Sequence, residues 1–203
     1  MFLELSQNYR GVAMENLLIL AQPKKEGFNR AIARAIADGV PNLRIVDLYA
    51  EGFNPVLPEE ELNRKFSFDE TTLHYQEAIQ GAQRVFFVHP DWWGGPPAIL
   101  KGFLDRVFRP GIAYGFREAD FRDADAPGLF SDKTFDIFIT TDATIPSTQK
   151  VEDWAPVRVW KENVLGFCGA QDMRFHVFWN LRKSTYLQRK AYLDSIGELC
   201  KSS

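Results

Sequence analysis

Two adjacent tryptophans followed by two glycines, Trp92, Trp93, Gly94 and Gly95, are the residues of this sequence whose types and spacing point most clearly to chemistry. Indole rings offer flat apolar surface, and glycines let another molecule approach the backbone closely. Together they suit a planar ligand, because its ring could lie against an indole while backbone N–H groups bind its polar edge. The sequence therefore predicts a site for a flat ring at this point of the chain.

The aromatic pair lies between a predicted strand and a predicted helix. A short apolar run, 85–88, is long enough for a buried strand, and Pro96 and Pro97 then begin a helix. The apolar residues of that helix recur at the i, i+3, i+4 spacing of one buried face: Leu100, Phe103, Leu104, Val107 and Phe108. The ring site is thus expected in a strand-to-helix turn held on both sides by buried elements.

Apolar runs and helical patterns alternate along the rest of the chain. The predicted strands are 16–21, 43–48, 85–88, 134–141 and 173–179. Helices are predicted at 28–38, 69–80, after Pro97, and at 151–165 and 184–200. Strands that are each followed by a helix predict an α/β fold, a doubly wound five-stranded parallel sheet of order 2-1-3-4-5 with helices on both faces.

The topology predicts the position of a ligand independently of the tryptophans. In a sheet of this order the ligand crevice lies outside the carboxyl ends of strands one and three. That rule selects the loops 22–27 and 89–95, and the loop 141–150 after the fourth strand is the third contributor.

The first of these loops, 22–27, ends at a helix start, where backbone N–H groups favour phosphate. Gln22 and Asn29 could donate to it, and Gly27 allows close approach; the alternative is an ordinary turn with Asn29 capping the helix.

Other candidate residues have equally plain structural explanations. His89 ends a strand and is more typical of a core or rim histidine than of a catalyst, and the tryptophan pair could belong to the core or to an interface. Asp91 and Asp142 lie in candidate ligand loops, where exposed carboxylates are the ordinary case. No zinc motif, serine nucleophile elbow, Rossmann glycine fingerprint or phosphate-binding P-loop occurs, so we expect no metal.

Composition limits the class of protein. The 203 residues suit one domain, expected at 14–203, with 1–13 as a polar N-terminal extension before a possible start at Met14. A net charge of −3 does not support nucleic-acid binding, and the basic group at 182–190 is expected on a solvated helix face. With two cysteines and no apolar run near the roughly 20 residues of a membrane span, we expect a cytoplasmic protein without membrane insertion.

The same segments carry a resemblance to a known family. The chain resembles the NAD(P)H:quinone oxidoreductase family of flavodoxin-like flavoproteins from Glu15 onwards. The most specific block is PAILKGFLDRVF followed by AYG. The matching segments are LAQPKKEGFNRAI (20–32), DLYAEGFNPVL (47–57), HPDWWGGPPAILKGFLDRVF (89–108), GIAYGF (111–116), ITT (139–141) and VWKENVLGFCG (159–169).

The resemblance implies a flavin cofactor, FMN or FAD, and assigns residues to each part of it. The phosphate would be held by Gln22, Phe28 and Asn29. The isoalloxazine ring would contact Asp91, Trp92, Trp93 and Gly94 on one side. Its other edge would meet Thr140, Thr141, Asp142 and Ala143, while Tyr114 stands where a substrate-lining tyrosine is found.

Three departures from the family pattern concern the same loops. The usual AHP and serine read AQP and Gly27 here, and a Gly-Gly pair is replaced by Asp142 and Ala143, which adds a carboxylate near the polar edge of the ring. The segment STQK (147–150) lacks the Tyr/His pair that mammalian members use to relay a proton.

The function implied is two-electron transfer from NAD(P)H through the flavin to a quinone-like acceptor, with ping-pong kinetics. The alternatives are a regulatory subunit, since family relatives include ancillary subunits of a potassium-efflux system, and a flavodoxin-like electron carrier. A homodimer is also expected, because aromatic residues are numerous around the helix and the loop after it. These are Phe103, Phe108, Tyr114, Phe116 and Phe121.

Overall fold

The computed structural model describes residues 16–63, 67–115, 128–144 and 150–201 of the chain. The predicted extension 1–13 lies outside these residues, as do Phe116 and Phe121.

Five parallel strands form the centre of the protein. They are β1 (Asn16–Leu20), β2 (Leu43–Asp47), β3 (Arg84–Pro90), β4 (Thr134–Thr140) and β5 (Asp172–Phe178). Their order is β2-β1-β3-β4-β5, and all neighbouring pairs are parallel. The predicted fold class and strand order are therefore confirmed. The winding reverses between β1 and β3, so the ends of these two strands open a crevice.

Helices cover both faces of the sheet. They are α1 (Phe28–Gly39), α2 (Glu59–Asn63), α3 (Glu70–Gly81), α4 (Ala98–Val107), α5 (Ala155–Arg158) and α6 (Tyr186–Lys201). Helix α5 continues into the wide π-type turns of Val159–Leu165. The continuous helix predicted at 151–165 is wrong, because Pro156 fits only the first turn of a helix and α5 therefore begins just before it.

Side chains that alternate along β1 and β3 fill two separate cores. Leu17, Ile19 and Phe87 face the side covered by α3 and α4. Leu18 and Phe86 face the side covered by α1 and α6. Burial on both faces explains why these strands are apolar without alternation.

The aromatic residues of α4 belong to the chain's own core, so the structure corrects one argument for a dimer. Phe103 is completely buried and packs edge-on against Phe53, with Tyr75 at the same centroid distance of 5.6 Å. Phe108 is also buried and contacts Phe130 at 5.2 Å. These rings pack against other rings of the same chain, because α4 directs its apolar face onto the sheet. They therefore do not indicate an interface.

Helix α2 is an element that the sequence analysis missed. Its Glu61 is buried and accepts hydrogen bonds from Arg106 of α4, at 3.0 Å from Nε and 2.6 Å from Nη2. Arg106 and the Ser67 hydroxyl both lower the pKa of Glu61, which burial by itself would raise. A helix of one turn gains its stability from this tertiary pair, so local sequence could not predict it.

Candidate functional site: a cleft at the carboxyl ends of the strands

A cleft of about 600 Å³ opens at the carboxyl ends of β1, β3 and β4. It is formed by the loops that the topology selected and by the loop after β5. Its lining consists of Gln22, Pro23, Lys24, Gly27, Phe28, Asn29, Pro90, Asp91, Trp92, Trp93, Thr140, Thr141, Asp142, Ala143, Leu181 and Arg182. The structure thus brings together all the residues predicted to bind the cofactor except Gly94, which lies in the same turn but not in the lining.

Three buried polar side chains connect the first loop to β4. The Asn29 amide donates to Gln22 Oε1 at 3.2 Å, and the Thr140 hydroxyl donates to Asn29 Oδ1 at 3.1 Å. Asn29 therefore lies inside α1 and does not cap it; the helix begins after Gly27 without a side-chain cap. Its first backbone N–H groups and the Gln22 amide nitrogen are available to an anionic ligand.

Gly27 makes room for the Gln22 side chain. A Cβ atom at position 27 would stand 2.9 Å from Gln22 Nε2, which is closer than real side chains approach. Gly27 itself is in extended backbone, so its role is one of space and not of a left-handed conformation.

Arg30 holds the first loop in place, and sequence reasoning missed it. From α1 it donates to the carbonyl of Lys24 at 2.6 Å and to that of Gln22 at 3.1 Å, and it also pairs with Asp47 at the end of β2. Leu20 of β1 stands opposite Asp47 in the sheet, so the β1–β2 register creates the pair. No local signal in the sequence could have revealed it.

The two tryptophans stand on a tight turn at the mouth of the cleft. The Trp92 amide donates to the Gly95 carbonyl at 2.8 Å, and the Gly95 amide returns a bond at 3.3 Å. Trp93 and Gly94 have φ angles of 58° and 77°, the left-handed region that an aromatic residue rarely adopts. Trp93 is fully exposed and Trp92 about half exposed, so neither is a core residue of this chain.

Asp91 is more enclosed than an ordinary loop carboxylate. Its backbone N–H donates to the Thr140 carbonyl at 2.8 Å, and its Oδ2 accepts from the Thr141 hydroxyl at 3.1 Å. Burial raises the pKa of Asp91, although the Thr141 hydroxyl and the amides of Gly94 and Gly95 act in the opposite direction. The expectation that Asp91 is merely solvent-exposed is wrong, because the turn folds over it.

Asp142 behaves differently from Asp91. It is half exposed and forms an ion pair with Arg182, with 3.1 Å between Oδ2 and Nε. Its Oδ1 also accepts from the Arg182 backbone N–H at 2.7 Å. Arg182 lies in a 3₁₀ turn at the cleft and not on the predicted solvated helix face, because α6 begins only at Tyr186.

Tyr114 and His89 lie outside the lining. The Tyr114 ring packs edge-on against Phe167 at 5.2 Å, and the structure does not place it among the residues of the cleft. His89 is a core residue: its Nδ1 bonds to the Pro90 carbonyl at 2.9 Å and its Nε2 accepts from the Trp160 indole at 3.2 Å. These partners imply a neutral ring with the proton on Nδ1, and burial lowers the pKa of His89 to about 4.

Two features are absent from the described residues. Within 16–63, 67–115, 128–144 and 150–201, no group of three or more His, Cys, Asp or Glu side chains is placed to hold a metal ion. Across the same ranges, every helix is too short or too polar to cross a membrane.

Comparison with known proteins defines the class of this chain. Residues 14–199 match the family model described as the flavodoxin-like fold, and the chain belongs to that family. It is 31% identical over 190 residues to an uncharacterized NAD(P)H oxidoreductase of Haemophilus influenzae, covering 89% of this chain and 91% of the relative.

A second relative and a solved structure agree with this assignment. NAD(P)H dehydrogenase [quinone] 1 of Rattus norvegicus is 30% identical over 182 residues, which are 76% of this chain and 65% of the rat protein. The crystal structure of Smu.1420 from Streptococcus mutans UA159 has a TM-score of 0.80 and 25% identity, and covers 94% of this chain and all of that one.

Proposed function

We propose that this protein is a flavin-dependent NAD(P)H:quinone oxidoreductase. The observation that carries the proposal is the cleft, because residues from three separate loops meet there in the arrangement that the family resemblance assigns to a flavin. The Haemophilus influenzae and Rattus norvegicus relatives, whose names describe NAD(P)H oxidation and a quinone acceptor, support the same activity.

The residues of the cleft fit a flavin. The uncapped start of α1 and the Gln22 amide offer donors suited to the phosphate, whereas the exposed faces of Trp92 and Trp93 suit the ring. Backbone and hydroxyl groups of Thr140 and Thr141 would meet the opposite edge of the ring. The flavin, FMN or FAD, supplies the hydride chemistry, and the protein supplies binding, orientation and electrostatics.

The absorbance spectrum of the purified protein tests the cofactor directly. We expect the yellow colour of a bound flavin, released on denaturation and identified by chromatography. A colourless protein that cannot be reconstituted with FMN or FAD would reject the proposal. A stable one-electron form without quinone turnover would instead indicate an electron carrier, and copurification with a membrane transporter without turnover would indicate a regulatory subunit.

Steady-state kinetics test the order of the reaction. The exposed tryptophans line the cleft, so we expect NAD(P)H and a flat, apolar acceptor to occupy the same place beside them in turn. Double-reciprocal plots at several acceptor concentrations should then be parallel, as in ping-pong kinetics. Intersecting lines would reveal a complex with both substrates and reject the shared site.

A homodimer and a cytoplasmic location are further parts of the proposal. Several large apolar side chains in the segment 56–73 are exposed, an arrangement that favours contact with a second copy of this chain: Val56, Leu62, Phe68 and Leu73. Sedimentation at micromolar concentration should give twice the 23.3 kDa chain mass, and a 23.3 kDa species with full activity would refute the dimer.

The cysteines support the cytoplasmic location, because Cys168 and Cys200 are free thiols, as expected in a reducing compartment.

A further inference from the structure

Asp91 stands at the junction of the two loops that would contact the flavin ring. It is the first residue after β3, and it reaches β4 through its backbone bond to Thr140 and its carboxyl bond to Thr141. Thr141 Oγ1 also accepts from the Ala143 amide at 3.1 Å. The Asp91 carboxyl group therefore connects the tryptophan turn to the loop after β4, and a change at Asp91 is transmitted to both loops.

The charge of this carboxyl group is met by the Thr141 hydroxyl and the amides of Gly94 and Gly95, but by no cation among the described residues. Asp91 Oδ1 is buried and makes no well-aligned hydrogen bond with any described residue. Of the charged groups that line the cleft, Asp142 and Arg182 pair with each other, and Lys24 belongs to the first loop. His89 of the same strand is buried and neutral. Within the described ranges, no cation forms an ion pair with Asp91, so its ionised form places negative charge in the cleft wall.

We propose that Asp91 is a positioning residue that sets the relative affinity of the cleft for reduced and oxidised flavin. Through Thr141 it holds the two ring-contacting loops together, and its negative charge disfavours the electron-rich reduced form. This inference rests on the proposed function. It assigns the electrostatic role of the cleft to Asp91, whereas the sequence had drawn attention to Asp142.

The pH dependence follows from the direction of the pKa shift. Burial raises the pKa of Asp91 above its ordinary 3.8, so the carboxyl group becomes neutral at a higher pH than an exposed one. The preference for oxidised flavin should therefore weaken as pH falls through this raised pKa. Above it, the negative charge is present and the preference is complete.

The test compares flavin dissociation constants at a series of pH values. Both oxidised and anaerobically reduced flavin are titrated into the protein, its Asp91→Asn variant and its Asp142→Asn variant. At pH 8 we expect the ratio of reduced to oxidised affinity to rise about tenfold in Asp91→Asn, because a close charge is removed. The affinity ratios of Asp91→Asn and of the unchanged protein should become equal as pH falls, because Asp91 is then neutral in the unchanged protein. Asp142→Asn should change the ratio less, since the pair with Arg182 is exposed and screened by solvent.

Variants of Thr141 separate positioning from charge. Thr141→Val removes the hydroxyl that joins the loops but keeps the carboxylate, so both affinities should fall together, and Thr141→Ser should restore them. In the flavin-free protein, carboxyl ¹³C NMR should show a resonance that titrates above the ordinary range and is missing from Asp91→Asn. An Asp91→Asn variant with an unchanged ratio, or an Asp142→Asn variant with an equal rise, would overturn the role of Asp91 alone. Failure of the unchanged protein to bind any flavin would overturn the proposed function with it.

Discussion

Asp136 and Asp91 are both enclosed carboxylates, one within β4 and the other directly after β3, and they lie towards opposite ends of the sheet. Asp136, the third residue of β4, is completely buried on the face covered by α1 and α6. Arg84 donates to its Oδ2 at 2.8 Å, Arg174 lies 3.3 Å from the same atom, and His176 Nε2 lies 2.9 Å from Oδ1. Asp91, just beyond the carboxyl end of β3, has hydroxyl and amide neighbours instead.

The neighbours of the two carboxylates shift their pKa values in opposite directions. Burial would raise the pKa of Asp136, but His176 and the two arginines outweigh burial and lower it. The pKa of Asp91 is raised, because its neighbours do not outweigh burial. At the first end, the carboxylate charge is therefore compensated by cations of the chain itself. At the second end, no described cation pairs with the carboxylate, as is common where a ligand binds.

The largest expected effect is on stability, from removing the charge of Asp136. Asp136→Asn leaves the mostly buried Arg84 without its counter-charge at the sheet, whereas Arg174 keeps Asp172 at 3.9 Å, and we expect a loss of about 3–5 kcal/mol in the free energy of unfolding. Urea unfolding at pH 7 measures it. Asp91→Asn is the matched control and should cost less than about 1 kcal/mol, because no buried cation loses its partner. Equal losses in the two variants would contradict the distinction between the two ends.

The second prediction concerns pH and stability at His89. Its pKa falls from 6.5 to about 4 on folding, so the neutral form stabilises the protein above pH 6.5, and this stability is lost as pH falls from 6.5 towards 4. The loss should reach roughly 3 kcal/mol, and His89→Gln should remove most of it. Asp136, whose pKa is lowered, acts in a separate window, since its contribution is lost only as pH falls below about 3.8. If the free energy of unfolding falls equally between pH 6.5 and 4 in the unchanged protein and in His89→Gln, His89 is not the group responsible.

The third prediction tests flavin binding at the cleft. Trp93→Ala should weaken flavin binding by about 1–3 kcal/mol because a stacking surface is lost. The side chain is fully exposed, so the free energy of unfolding should hardly change. Fluorescence titration measures the affinity, and Trp93→Phe, which keeps an aromatic face, should retain most of it. Undiminished affinity in Trp93→Ala would remove Trp93 from the site.

The smallest expected effect is at Tyr114. If its hydroxyl orients the acceptor, Tyr114→Phe should lower kcat/KM for a quinone by about fivefold, or about 1 kcal/mol. Phe167→Leu, which removes the ring that packs on Tyr114 and keeps the hydroxyl, is the control. Because Tyr114 lies outside the cleft lining, an unchanged kcat/KM would mean that one chain alone does not bring it to the acceptor.

Local patterns in the sequence predicted the fold, the strand order and three of the four loops that form the cleft. Buried parallel strands are continuous apolar runs, and the α/β alternation permits few topologies, so local patterns were sufficient. The sequence also placed Gln22, Asn29 and the tryptophan turn at the site, since loops at the switch point are fixed by topology.

The pairing of charged side chains became visible only in the folded chain. The Arg30–Asp47 pair, the Arg106–Glu61 pair and the cluster around Asp136 all join residues that are distant in sequence and become neighbours through strand register or helix packing. The same holds for Asp142, whose ion-pair partner lies in the loop after β5, and for Asp91, which the turn encloses without a cationic partner among the described residues. Apolar burial follows a local period that a sequence displays, whereas an ion pair depends on the position of two single atoms.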